Sequence, residues 1–107
     1  MRIHVYCKAA VLAAVLMSAC GIANAACRDD LIAADQNLNT TRSALQQAAS
    51  AAAPVKCVAY RKHIASLTQV RSVFARCDTS AGKAANAAQT NTAIAAFTKQ
   101  MQDACKK

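Results

Sequence analysis

Residues 54–77, PVKCVAYRKHIASLTQVRSVFARC, decide the fold. Tyr60, Ile64, Leu67, Val70 and Phe74 recur at spacings of four and three, which places them on one face of an α-helix. Cys77 follows Cys57 by 20 positions, so a helix through this stretch holds the two thiols roughly 30 Å apart. A disulfide needs Cα atoms about 4.4–6.8 Å apart. These two cysteines cannot pair with each other, and each needs a partner elsewhere.

The flanking sequence supplies the partners. Upstream, Leu31, Leu38 and Leu45 recur every seven residues with Ala34, Thr41 and Ala48 between them, a heptad-like seam with Cys27 just before it. Asp29 and Asp30 suit the positive end of that helix. Pro54 disfavours helical geometry in the residue before it and fits the start of the next helix. Downstream, Asp78, Thr79, Ser80 and Gly82 form a short polar turn. A third helix follows, with Ala87, Ile94, Phe97 and Met101 on one face and Cys105 at its end. The expected fold is all-α: helices at about 29–52, 55–77 and 83–105, made antiparallel by short turns in an up-down-up three-helix bundle. Alanine-rich runs between the seam residues favour helix rather than disorder.

In that bundle Cys27 and Cys77 lie at one end, and Cys57 and Cys105 at the other. Pairing neighbours in sequence would join opposite ends in both cases. The pairing that survives is Cys27–Cys77 with Cys57–Cys105, one staple at each end. Zinc is a poor competitor, because structural zinc sites keep ligand pairs a few residues apart and the gaps here are 29, 19 and 27 residues.

The N-terminus reads as a removable leader. Arg2 and Lys8 are a positive n-region, Ala9–Ala19 is a short apolar run, and Ala23-Asn24-Ala25 is an A-x-A site. Cleavage there makes residues 1–25 a signal peptide and 26–107 a single domain. The apolar run is shorter than the about 20 residues a membrane span needs, and the mature chain holds no longer one. Met17-Ser18-Ala19-Cys20-Gly21 also resembles a bacterial lipobox, whose use would lipidate Cys20 and anchor the chain to the outer membrane. Both routes leave the same four cysteines for an oxidising periplasm or exterior. A domain this small has a marginal core, so bridges closing loops of tens of residues weigh heavily in its folding.

Charge is the second feature. The chain carries a formal +8, of which Arg2 and Lys8 contribute two, leaving +6 for residues 26–107. From Ala51 to Cys77 there are five bases, Lys56, Arg61, Lys62, Arg71 and Arg76, and no acid. Arg61, Lys62 and Arg76, with Gln69, fall opposite the apolar stripe, a candidate face for an anionic envelope surface or an acidic protein. An ordinary solvated face is the plainer reading of the same pattern. Nucleic acid fits less well: the chain is read as exported, has few aromatics and carries no recognition motif. A membrane-surface helix would expose Trp, Phe or Leu beside the bases, whereas here the apolar face is needed for the core. Arg71 lies near the stripe, to snorkel outward or to pair with Asp35 or Asp103.

No catalytic constellation is present. Beyond the leader there is one histidine, His63, on the flank of the apolar stripe, where a structural role is expected. Asp29 and Asp30 are adjacent and point to different helix faces. No serine sits in a G-x-S-x-G elbow, and no glycine-rich loop exists to cradle phosphate. Asn39-Thr40-Thr41 matches a glycosylation triplet inside a predicted helix, a chance match. The expectation is a non-enzyme without cofactor or metal: a periplasmic or secreted binding or structural module. The competing expectations are a secreted inhibitor, immunity protein or toxin on a protease-resistant scaffold, and an outer-membrane lipoprotein anchored through Cys20.

Overall fold

A computed structural model describes residues 25–106. The leader reading and lipidation at Cys20 lie outside them. Three helices make up the fold: α1 (Ala25–Gln47), α2 (Ala53–Cys77) and α3 (Lys83–Lys106). They run antiparallel in chain order, as the periodicity predicts.

The first boundary differs from the expected 29–52. Helix α1 begins at Ala25, so Cys27 lies within its first turn rather than before it. This extends the seam by one turn, and Cys27 packs against the core. At the other end α1 stops at Gln47, although alanines that favour helix follow. Tight turns replace it, with Ala49 N–H donating to Gln46 O at 3.3 Å and Ala51 N–H to Ala48 O at 2.9 Å. Ala48 is buried in this corner, where the chain reverses onto α2. Ala52 is extended, and α2 starts at Ala53 with Pro54 in its first turn, slightly earlier than the expected 55. Tertiary closure outweighs the propensity of an alanine run, which is a few tenths of a kcal/mol per residue.

The core forms where α1 and α2 face each other. Leu31, Ala34 and Leu38 from α1 meet Leu67, Val70, Val73, Phe74 and Cys77 from α2, and half-buried Ala93, Ile94 and Phe97 of α3 pack against this group. Leu31 is only 1% exposed. Helix α2 is the shared partner of the other two, and the backbones of α1 and α3 scarcely approach each other. The buried stripe of α3 is also more polar than its sequence suggests. Its buried residues are Asn86 and Thr90, whereas Ala87, Ile94, Phe97 and Met101 are half-buried.

Both expected disulfides are present. Cys27 and Cys77 have Cα atoms 5.6 Å apart, and Cys57 and Cys105 have theirs 4.9 Å apart. Each bridge closes one hairpin at the end away from its turn. The turn at 48–52 joins α1 to α2 at the upper end, and Cys27–Cys77 joins the same two helices at the lower end. The turn at 78–82 joins α2 to α3 below, and Cys57–Cys105 joins them above. The result is two covalently closed hairpins that share α2.

Below the core, the second turn is held by a buried polar cluster. Asp78 is buried and accepts at Oδ1 from Ser80 N–H at 2.9 Å and Ser80 Oγ at 2.6 Å, while Asn86 Nδ2 donates to Oδ2 at 2.7 Å. Ser80 Oγ in turn accepts from Gly82 N–H at 3.2 Å. The chain is thus guided into α3 by side chains rather than by apolar contact. Among the described residues, Asn86 Oδ1 is buried without a hydrogen-bond partner. No helix of the described residues is long and apolar enough to cross a membrane.

Candidate functional site

The bases of α2 divide when placed in three dimensions. Arg76, in the last turn, pairs with Asp30 of α1 at 3.1 Å, both side chains being about half exposed. An exposed pair of this kind contributes about 0–1 kcal/mol, but it does offset the charge locally. Arg71 reaches neither Asp35 nor Asp103; its Nη1 donates to Asn91 Oδ1 of α3 at 3.1 Å. The geometry explains this, since Asn91 sits level with Arg71 whereas Asp103 is three turns away at the opposite end of α3. Gln69, on the same side as the bases, is half-buried and accepts from Asn37 Nδ2 at 2.9 Å. Arg61 and Lys62 are exposed and make no ion pair with any described residue.

The structure therefore brings Arg61 and Lys62 together and leaves Arg76 at the other end. It also adds bases from neighbouring helices. The contacts Asn37–Gln69, Thr41–His63 and His63–Phe97 set the levels of the three helices against one another. Above mid-height lie Arg42 of α1, Lys56, Arg61 and Lys62 of α2, and Lys99 and Lys106 of α3, opposed by Asp103 alone: six bases and one acid, net +5. Below lie Arg28, Arg71, Arg76 and Lys83 with Asp29, Asp30, Asp35 and Asp78: four of each, net zero. The positive charge of the described chain sits at one pole. Antiparallel packing creates this, because it stacks the C-terminal halves of α1 and α3 beside the N-terminal half of α2.

The same pole carries the exposed large apolar side chains of the described residues, Val55 at 53% and Val58 at 49% exposure. Val55, Val58 and Lys62 fall at helical spacing on an exposed flank of α2, with Arg61 one turn beyond Val58. Between α2 and α3 the pole has an open groove lined by Ala53, Lys56, Tyr60, Gln100, Asp103 and Ala104. It is shallow and mixes both charge signs.

His63 sits inside the pole rather than on it, only 3% exposed. Its Nδ1 is 2.8 Å from Thr41 Oγ1, and that hydroxyl is also 3.1 Å from Leu38 O. A hydroxyl has one proton; donated to the Leu38 carbonyl, it leaves the oxygen to accept from His63 Nδ1–H. The ring stands edge-on to Phe97, centroids 4.6 Å apart, and Tyr60 lies tilted against Phe97 at 6.2 Å. Burial lowers the imidazole pKa below its ordinary value, and the nearby Arg42 guanidinium adds to the effect. His63 thus ties the three helices together as a neutral ring. Among the described residues no three or more His, Cys, Asp or Glu side chains gather into a group that could hold a metal ion.

Two features were out of reach of sequence reasoning. The pole needs the helix levels, which only the fold supplies. Burial of Asn86 and Thr90 had a faint signal in their spacing of four, but their polarity argued for an exposed face. Comparison of the chain with protein-family models, with curated proteins and with solved structures gave no match.

Proposed function

We propose that this chain is a small exported, non-enzymatic binding module of the cell envelope, and that its basic pole is the surface by which it meets an anionic partner. The observation that carries the reading is the axial separation of charge, net +5 above mid-height against zero below. A solvated face that merely confers solubility has no need to be gathered at one end. Helix stability accounts for Lys106, in the last turn of α3, but not for Lys56. Lys56 lies in the first turn of α2, where the helix dipole disfavours a cation, and no acid accompanies it there. Two disulfides suit an oxidising compartment. The engagement of His63 in packing supports a scaffold rather than a catalyst.

Retention of the disulfide-bonded chain by isolated envelope material tests this. Binding falls steeply with ionic strength, and Arg61→Glu with Lys62→Glu abolishes it. Arg76→Glu, at the neutral pole, leaves most of it. Retention that ignores both salt and the paired reversal at Arg61 and Lys62 overturns the proposal.

A further inference from the structure

We infer that the anionic component is a phospholipid headgroup surface, and that the upper pole docks on it with Val55 and Val58 entering the headgroup layer. This rests on the reading of the basic pole given above and names its partner. The juxtaposition is specific: the two exposed large apolar side chains of the described residues lie in the first turns of α2, followed within two turns by exposed Arg61 and Lys62. Apolar side chains set among bases on one helix face are what an interfacial surface requires, the first entering the headgroup region while the second meet lipid phosphates. The remaining bases, Lys56, Arg42, Lys99 and Lys106, lie at the same end on three helices, so the attraction is spread over that end of the bundle.

Other occupants fit less well. A second copy would bring two poles of net +5 together and repel. A folded acidic protein is gripped best by an aromatic or arginine anchor seated in a pocket. Here Tyr60 is half-buried against Phe97, and the groove beside it is shallow and includes Asp103. A fluid lipid surface can accommodate a convex, diffuse patch because the headgroups move to meet it. Two valines alone hold such a contact weakly, so affinity depends on charge and is lost with screening.

The chain contains no tryptophan, so a single introduced one reports its own surroundings. Val58→Trp places it at the pole, and Ala84→Trp places it on an exposed site at the opposite end of the bundle. Both disulfide-bonded variants are titrated with vesicles of phosphatidylglycerol and phosphatidylcholine, and with phosphatidylcholine alone. The expected result is a blue shift of the Val58→Trp emission with the anionic vesicles only, and none for Ala84→Trp. Each base near an anionic surface strengthens binding about fivefold, so adding Arg61→Gln and Lys62→Gln to the Val58→Trp chain weakens it about 30-fold. At about 1 M salt, where screening acts within about 3 Å, the shift disappears.

Vesicle binding with Val58→Trp unshifted, or with Ala84→Trp shifted instead, overturns pole-first docking. No vesicle binding, combined with salt-sensitive envelope retention that needs Arg61 and Lys62, overturns the lipid assignment alone and points to an acidic protein. Loss of both kinds of binding overturns this inference and the basic-pole reading together.

Discussion

Replacing Cys57 and Cys105 by alanine opens the α2–α3 hairpin at the end away from its turn; replacing Cys27 and Cys77 does the same for α1–α2. The bridges span 48 and 50 residues. In the chain-entropy treatment, loops of that length each stabilise the fold by about 4 kcal/mol at 25 °C. The loops overlap between Cys57 and Cys77, yet with one closed the other keeps an effective length of about 40 residues and still contributes about 4 kcal/mol. The two variants therefore lose nearly equal global stability, each a large share of the roughly 5–15 kcal/mol typical of a domain. Equilibrium unfolding in urea, followed by helical circular dichroism, reads this directly.

What remains folded differs between the two variants, and here packing decides. With its bridge cut, α1 still buries Leu31 and Leu38, contacts that contribute about 1.5–3 kcal/mol each. Helix α3 offers Ile94 and Phe97 only half-buried, and its buried residues are the polar Asn86 and Thr90. Without Cys57–Cys105, α3 is tethered only at its turn and loses hydrogen-exchange protection along its C-terminal half while α1 and α2 keep theirs. Without Cys27–Cys77, α1 stays protected from Leu31 to Leu38. Cutting either bridge at a cost below about 1 kcal/mol, or finding α1 the more exposed helix in both variants, would refute this account.

Two further outcomes concern buried polar groups. His63 has a pKa depressed by burial and by Arg42, so the unfolded chain binds its proton more readily. Stability is complete above the unfolded value near 6.5 and declines as pH falls towards the depressed folded value, by at most about 1.4 kcal/mol per pH unit. Thermal melts between about pH 7 and 5 show this slope in the wild type and a flatter one in His63→Leu; a flat wild-type profile contradicts the assignment. At the lower turn, Asn86→Ala removes the donor to Asp78 Oδ2, and a hydrogen bond to a charged group contributes about 1.5–3 kcal/mol. Denaturant titration of that variant should find a loss of this size, and a neutral result would mean that another donor replaces the amide.

The architecture could be read from residues 54–77 because its decisive features are covalent and periodic. A stripe at spacings of four and three selects one helix face, and 20 positions along a helix is a fixed length, so the pairings Cys27–Cys77 and Cys57–Cys105 follow from geometry with little help from energetics. Boundaries were less accessible. Alanines 51–53 favour helix and gave an expected end near 52, whereas α1 stops at Gln47 because closing the hairpin and burying Ala48 outweigh a small propensity. The polar interior of α3 was hidden for a related reason. Asn86 is buried and serves Asp78, a residue in the preceding turn, and its polarity outweighs the faint signal of its spacing from Thr90.

The candidate site depends on the fold in the same way. Along the sequence, Arg61, Lys62 and Arg76 belong to one acid-free stretch and look like one surface. On an antiparallel bundle, 14 positions of helix carry Arg76 about 21 Å from Lys62, to the end where Asp29, Asp30 and Asp78 collect. Lys99 and Lys106, distant in sequence, arrive instead at the end of the bundle that holds Lys62. A charge run on one helix thus becomes a pole shared by three, and its field adds over bases from separate segments. That pole draws only a minority of its bases from the outward face of α2. Substituting Arg61 and Lys62 to glutamine lowers its net charge from +5 to +3, leaving residual attraction that a lone two-residue site would not retain.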